Sequence, residues 1–373
     1  MSRETSSCHS DPTPAPSPAH NFSRKSPAKF ALALALGAIG GGVFYELQLP
    51  LPWLLGAMSF VTVAAISGAP LTSSSRFRNG MVAVLGVLLG SQFNAEIFDR
   101  LADWYVGLAG VAASGAAMVA LCTFYYCKVG GYDRTSAYFS AIPGGLSEMM
   151  VLGESMGGDA RRISLSHAVR ILTAVFLIAF YFRLFEGYQP IGLVGEEIAA
   201  VSWHDGLILA ACAIVGWPGA RLIRIPAGQL VGPLALSAAA HMSGIVSAMP
   251  PGEVVAAAQV ALGAAIGARF VGAKLPEIWR IVIVSIGAAL IMVAIAALFA
   301  YVLGEVTGSS TTTLFLALAP GGLAEMSIIA LSFGTAAAFV STHHIVRIIL
   351  LVVIAPSLYR ILLVDKPSGA TDR

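Results

Sequence analysis

The chain has 373 residues, of which 57% are hydrophobic and only 11% are charged. Typical soluble domains carry about 25% charged residues. Together with a mean hydropathy of +0.80, the low charge excludes one large soluble domain. The formal net charge of +2, with no basic patch, zinc-finger pattern or recognition helix, gives no case for nucleic acid as a partner.

The chain opens with a segment unlike the rest of the sequence. Residues 1–27 are rich in serine and proline, which predicts a disordered cytoplasmic tail. Arg24, Lys25 and Lys29 then precede a long apolar run from Phe30 to Leu47. Basic residues before an uncleaved apolar run predict a first membrane helix with its N-terminus in the cytoplasm.

Apolar runs fill the remainder of the chain, and several approach the ~20 residues that a helix needs to cross a bilayer. They predict an all-α polytopic membrane protein. The runs cover residues 30–47, 50–69, 80–95, 104–127, 135–153 and 164–182, then 203–220, 226–248, 254–273, 281–303, 312–333 and 339–361.

Two segments of the chain match each other closely. Ala141-Ile-Pro-Gly-Gly-Leu-Ser-Glu-Met149 is followed by His167-Ala-Val-Arg170, and Ala319-Pro-Gly-Gly-Leu-Ala-Glu-Met326 by His344-Ile-Val-Arg347. The proline, glutamate, histidine and arginine of the second segment all follow those of the first at the same offset in residue number. This duplication predicts a first membrane repeat at 28–186, a connecting loop at 187–202, a second repeat at 203–362 and a cytoplasmic tail at 363–373.

Loop charges indicate how the two repeats are oriented, because cytoplasmic loops are enriched in Lys and Arg. With the N-terminus inside, the basic loops of the first repeat fall inside and its acidic loop, with Glu96, Asp99 and Asp103, falls outside. In the second repeat the pattern is exchanged: the loops matching the basic ones carry Glu253 and Glu305, and the loop matching the acidic one carries Lys274 and Arg280. We therefore predict two inverted-topology repeats, about ten transmembrane helices plus two re-entrant or broken helical elements, and both termini in the cytoplasm.

The broken elements are predicted at the two Pro-Gly-Gly sequences, Pro143-Gly144-Gly145 and Pro320-Gly321-Gly322. Proline removes a backbone donor and paired glycines release the chain from helical dihedrals. A short helix restarting after each break would point its free amides toward it. Glu148 and Glu325 fall in that first turn, either as helix caps or as carboxylates that take up a proton or cation.

His167 and Arg170 share one face of the next helix, as do His344 and Arg347. One interpretation is a structural Glu–Arg pair that locks each hairpin to its neighbouring helix. The other is that the arginines hold an anionic solute while the histidines tune or relay a proton.

Other features have structural interpretations. Gly86 and Gly90, like Gly263 and Gly267, suit close helix packing. Arg269 is expected to snorkel at a membrane edge, and His343 to fill a structural role. The cysteines form no CxxC pair, no catalytic motif is present, and we predict neither a metal nor a cofactor.

The duplicated Pro-Gly-Gly-Leu-x-Glu-Met followed by His-x-x-Arg, over most of residues 30–362, resembles the AbrB-type membrane duplication family. The resemblance implies a bacterial inner-membrane protein. Members of this family carry two functional labels, regulator of gene expression and ammonia monooxygenase. A monooxygenase would need a metal, and Arg170 and Arg347 beside the histidines and glutamates would repel a cation.

Three functions are therefore open. The leading one is a secondary transporter or solute-binding protein, which takes a small anion such as a carboxylate, with a proton or sodium ion, where the two hairpins meet. The second is a membrane regulator that acts indirectly on gene expression, and the third is a membrane monooxygenase. The sequence also leaves open whether the chain forms a homo-oligomer.

Overall fold

The computed structural model describes residues 26–94, 104–185, 201–273, 275–332 and 336–362. Most of the predicted N-terminal tail, the connecting loop and the C-terminal tail lie outside the described residues, as do Glu96, Asp99, Asp103 and Lys274. Within the described ranges the chain is all-helical.

Fourteen α-helices occur in these ranges. The first seven are α1 (Pro27–Glu46), α2 (Pro52–Ile66), α3 (Ser75–Gly90), α4 (Tyr105–Tyr125), α5 (Arg134–Ala141), α6 (Leu146–Ser155) and α7 (Ala160–Phe185). The remaining seven are α8 (Trp203–Leu222), α9 (Gly228–Met242), α10 (Gly252–Gly267), α11 (Leu275–Thr307), α12 (Thr311–Leu318), α13 (Leu323–Ser332) and α14 (Ala337–Leu362).

Among the helices of the described ranges, seven are long and apolar enough to cross a bilayer: α1, α4, α7, α8, α10, α11 and α14. The protein is therefore a multi-pass membrane protein whose apolar helices contact lipid. The predicted number of about ten spans also needs α2, α3 and α9, which have 15, 16 and 15 residues. At 1.5 Å per residue these helices reach only about 22–24 Å, which is shorter than a typical hydrocarbon core.

The helices of the second half follow those of the first at nearly constant spacing. Except for α11, each begins at the same offset from its counterpart to within one position. The tight turns before α2 and α9 match even in backbone strain: Gln48 and Leu51 have positive φ, and so do Arg224 and Ala227 at the equivalent positions of the second half.

Glycines set the closest helix contacts. Gly40 of α1 lies against Gly56 of α2, and Gly216 of α8 against Gly232 of α9. The predicted packing role of the other glycine pairs is confirmed, and their contacts lie within the chain: those of α3 face backbone carbonyls of α9, and those of α10 face the backbone of α2.

Helices α5 and α6 form a hairpin. The backbone amide of Asp159, just after α6, donates to Ser136 Oγ at the start of α5 over 2.7 Å. The chain therefore leaves this element at the end where it entered. Helices α12 and α13 also pack on each other, and each hairpin reaches the other half of the chain, with α13 on α7 and α6 on α14.

Candidate functional site

The helix breaks at both Pro-Gly-Gly sequences are confirmed. Helix α5 ends at Ala141 and α6 begins at Leu146, while α12 ends at Leu318 and α13 begins at Leu323. Ile142 and Ala319, the residues before the prolines, have extended ψ angles of 122° and 142°. A residue before proline is pushed out of the helical region by the proline ring, so the break begins there.

Each arginine binds the carbonyl end of the half-helix that precedes its break. Arg170 Nη1 donates to the carbonyl of Ile142 at 2.7 Å. At the equivalent positions, Arg347 Nη1 donates to Ala319 at 2.6 Å and its Nη2 to Gly321 at 3.0 Å. Both side chains are only 3% exposed. The guanidinium groups thus satisfy carbonyls that the interrupted helix leaves without partners.

The interpretation of a Glu–Arg pair is wrong for these residues. Among the described side chains, no ion pair within 4.0 Å joins Arg170 or Arg347 to Glu148 or Glu325. The physical reason is that a helix C-terminus carries partial negative charge and unpaired carbonyls, which compete with a carboxylate for a buried guanidinium.

The histidines bind the same half-helices one turn earlier. His167 Nε2 lies 2.8 Å from the carbonyl of Phe139, and His344 Nε2 lies 2.9 Å from that of Leu316. Because a carbonyl only accepts, Nε2 carries the hydrogen. His344 Nδ1 lies 2.9 Å from Arg347 Nη2, which only donates. This geometry makes the His344 ring neutral and fixes both of its nitrogens, so it opposes the interpretation of His344 as a proton relay.

The same geometry bears on the metal that a monooxygenase would need. The lone pair of His344 Nδ1 already accepts from a guanidinium, and Nε2 donates to a carbonyl. These residues therefore do not fit a metal. In the part of the chain that the structure describes, no three His, Cys, Asp or Glu side chains are grouped closely enough to hold one.

Glu148 and Glu325 each lie in the first turn of the half-helix after the break, as predicted. A Cβ added at Gly145 would clash with the carboxylate of Glu148, and one added at Gly322 with that of Glu325. Each carboxylate therefore folds back onto the glycine at the amide end of its helix. Glu325 is 5% exposed, whereas Glu148 is only partly buried.

The sequence did not assign Arg78 and Arg269 to this site. Arg78, near the start of α3, interacts electrostatically with Glu148, and Arg269, just after α10, interacts with Arg78. At the position equivalent to Arg78, the second half has Val255. A comparison of the two halves at basic positions would have revealed this difference. The environment of Glu148 is therefore more basic than that of Glu325.

A known protein family matches most of the chain. The profile of a family described as "Transition state regulatory protein AbrB" matches residues 53–363. The chain belongs to the AbrB family.

Two relatives match this AbrB-family chain over most of their lengths. It is 25% identical over 356 residues to "Uncharacterized protein YhjN" of Bacillus subtilis, covering 88% of this chain and 92% of that protein. It is 23% identical over 329 residues to "Putative regulator AbrB" of Escherichia coli, covering 85% of this chain and 91% of that protein.

Proposed function

We propose that this AbrB-family protein is a secondary transporter of the bacterial inner membrane that binds a small anion, such as a carboxylate, where the two hairpins meet. The observation that carries the proposal is the duplicated break, in which a buried arginine satisfies the carbonyl end. At the opposite, amide end of α6 the N-cap residue is Gly145, which has no side chain, and the carboxylate of Glu148 folds back onto that end. Such helix N-termini attract anions, and broken backbone within a membrane persists where it is buried or lines a cavity.

The proposal includes two inverted-topology repeats. The crossing helices would be α1–α4, α7–α11 and α14, with α5–α6 and α12–α13 as re-entrant hairpins from opposite sides and both termini in the cytoplasm. Support comes from the matched helix spacing and from Arg280 at the start of α11, whose Nη2 lies 3.4 Å from the carbonyl of Val129. That contact brings the basic residues that follow α4 close to the start of α11, an arrangement that supports inverted repeats over parallel ones.

Glu325 is the group that we propose to couple the solute to a proton or sodium ion. Its buried carboxylate lies against Gly322, at the amide end of α13 that would otherwise attract an anion. A proton or sodium ion on Glu325 cancels its negative charge and leaves that helix end to the solute. Solute and cation therefore bind together, which is the requirement for symport.

The test uses proteoliposomes and a radiolabelled carboxylate, selected because it raises the thermal stability of the purified protein. Glu325→Gln is expected to exchange the solute between the two sides at a rate close to wild type, but to lose accumulation driven by a proton or sodium gradient. Glu305→Gln, which changes an exposed carboxylate in the last turn of α11, is the matched control and is expected to accumulate the solute normally. Accumulation by Glu325→Gln equal to that of the control would rule out this coupling role.

A regulator that acts through the same solute is the second candidate, because the Escherichia coli relative is named a regulator. Such a protein would sense the solute and influence gene expression indirectly. Solute that stabilises the wild-type protein without any uptake or exchange in proteoliposomes would favour this function over transport.

A further inference from the structure

Two buried positive charges at the breaks lack a counter-charge. Arg170 and Arg347 are almost completely buried, and they interact electrostatically with each other. Among the described residues, no carboxylate lies within 4.0 Å of either guanidinium. The carbonyl ends of the half-helices supply only partial negative charge. A buried ion is costly unless an opposite charge lies beside it, so this pair of arginines favours the binding of an anion.

Three hydrogen-bond donors without partners lie at the first of these arginines. In the described part of the chain, Arg170 Nε, the Tyr126 hydroxyl and Ser285 Oγ are buried and have no hydrogen-bond partner. Arg170 interacts electrostatically with Tyr126, and Ser285 lies close to Tyr126 without reaching hydrogen-bonding geometry. Buried donors that stay unsatisfied destabilise a fold, so a ligand that accepts from all three is favoured here.

The donors belong to three packed helices. Tyr126 directly follows α4, Arg170 is on α7 and Ser285 is on α11, and α11 packs on both α4 and α7. Tyr126 begins a π-helical turn, Tyr126–Gly130, that continues α4. Such turns are rare and often occur at functional sites. The first half and the second half thus both contribute to one polar cluster.

The duplication does not repeat this cluster. At the positions equivalent to Tyr126 and Ser285, the other half has Leu303 and Leu108. The residues of α11 that are equivalent to the π-helical turn are regular α-helix. The two hydroxyls are therefore a property of the first break alone.

The cluster is covered by a second pair of hydroxyl groups. The hydroxyls of Tyr132 and Ser166 are hydrogen-bonded at 3.0 Å, and both residues are buried. The ring of Tyr132 lies against that of Tyr126, with centroids 5.0 Å apart. An anion held by the three donors would therefore be shielded from water, where its attraction to a guanidinium is stronger than at a surface.

We propose that Arg170, Tyr126 and Ser285 bind the carboxylate of the solute, an inference that rests on the transport function proposed above. One carboxylate oxygen accepts from Arg170 Nε, and the other accepts from the two hydroxyls. The Nη groups of Arg170 remain on the carbonyls of Ile142 and Gly144, so the carboxylate lies beside the first break.

The test is the thermal stability of the purified full-length protein in detergent. It is titrated with sodium formate, acetate or propionate at constant ionic strength, with the bulky sodium salt of HEPES as the reference. Tyr126→Phe and Ser285→Ala each remove one hydroxyl from the cluster. Tyr138→Phe is the matched control, because that buried hydroxyl already donates to the carbonyl of Ala355 at 3.0 Å.

At least one of the three carboxylates is expected to raise the unfolding midpoint of the wild type with increasing concentration. Tyr126→Phe and Ser285→Ala are each expected to raise the fitted Kd about tenfold, because a hydrogen bond to a charged ligand is lost. Tyr138→Phe should keep the wild-type Kd although it is less stable in every salt.

The reference salt provides a second readout. Without a carboxylate, Tyr126→Phe is expected to be at least as stable as the wild type, because phenylalanine leaves no buried hydroxyl unsatisfied. A clear loss of stability in that salt would mean that the hydroxyl has another partner, and it would overturn the proposal.

Two further results would overturn the proposal: no stabilisation of the wild type by any of the three carboxylates, or the same Kd in the wild type and in both hydroxyl variants. Binding that depends on the hydroxyls, with no uptake of the same carboxylate in proteoliposomes, would count against transport and leave the site intact. Uptake with an unchanged Kd in Tyr126→Phe would count against the site and leave transport intact.

Discussion

At the scale of single residues, the guanidinium groups at the breaks bind the carbonyl ends of the interrupted helices. Arg347 donates to the carbonyls of Leu318, Ala319 and Gly321 and leaves only Nε without a partner among the described residues. Polar backbone atoms cannot turn to water at membrane depth, so each of these bonds replaces one that water would supply elsewhere. Arg170 repeats this at the first break.

Arg347→Gln is therefore expected to destabilise the protein. The substitution removes a buried charged donor from carbonyls that then have no partner, which should cost about 2–4 kcal/mol of unfolding free energy. The measurement is the unfolding midpoint in detergent, with Arg76→Gln as a charge-matched control at an exposed position at the start of α3. If both variants unfold at the same midpoint, the carbonyl contacts do not hold the break.

The identity of these residues could be predicted from the sequence, but their partners could not. The two Pro-Gly-Gly sequences mark the breaks, and the repeated His-x-x-Arg marks the side chains that face them. Sequence spacing cannot show that Arg170 binds backbone carbonyls rather than a carboxylate. Every residue has a backbone carbonyl, so the sequence does not mark the carbonyls at the break. Arg78 was missed because its electrostatic interaction with Glu148 joins residues that lie far apart in the sequence.

At the scale of helices, close backbone contact replaces the hydrophobic effect as the source of specificity, because lipid is as apolar as the helix surfaces. Helices α1 and α2 cross where Gly40 meets Gly56, and a Cβ on either glycine would run into the carbonyl of the other. Helices α8 and α9 cross in the same way. The sequence signals such contacts by glycine spacing but does not say whether the partner helix is in the same chain.

Gly56→Ala is expected to lower the unfolding midpoint, because the new methyl group must push α1 and α2 apart at their crossing. Overpacking of this kind costs about 1–3 kcal/mol. Gly42→Ala is the matched control, since a Cβ there meets nothing within 4 Å. That variant should be neutral or slightly stabilising, because alanine has the better helix propensity. Equal losses in both variants would argue that the crossing tolerates separation.

At the scale of the whole molecule, the two halves interlock rather than lie side by side. Helix α3 packs on α9 and α10, α2 packs on α10, and α4 packs on α11. Helices at matching positions of the two halves therefore meet each other, α3 with α10 and α4 with α11, as the proposed inverted repeats require. In the sequence, only loops with charged residues indicate whether the proposed repeats are inverted or parallel.

The topology makes one sharp prediction for Lys128 and Arg280. In two parallel repeats these loops would face opposite sides of the membrane, because Arg280 corresponds to the predicted external loop of the first half. In the structure Arg280 lies beside Val129, the residue after Lys128, so both must face the same side. Positive charge in both loops favours the cytoplasm.

Cysteines introduced singly at Lys128 and Arg280 are thus expected to react with an impermeant maleimide in inverted vesicles and to stay unlabelled in intact cells. Glu305→Cys, in the last turn of the 33-residue helix α11, should show the reverse. Since α11 connects Arg280 to Glu305 without a break, labelling of both from one side would mean that this helix does not cross the membrane. Labelling of Arg280→Cys from outside while Lys128→Cys reacts from inside would contradict both the inverted topology and the contact between these two loops.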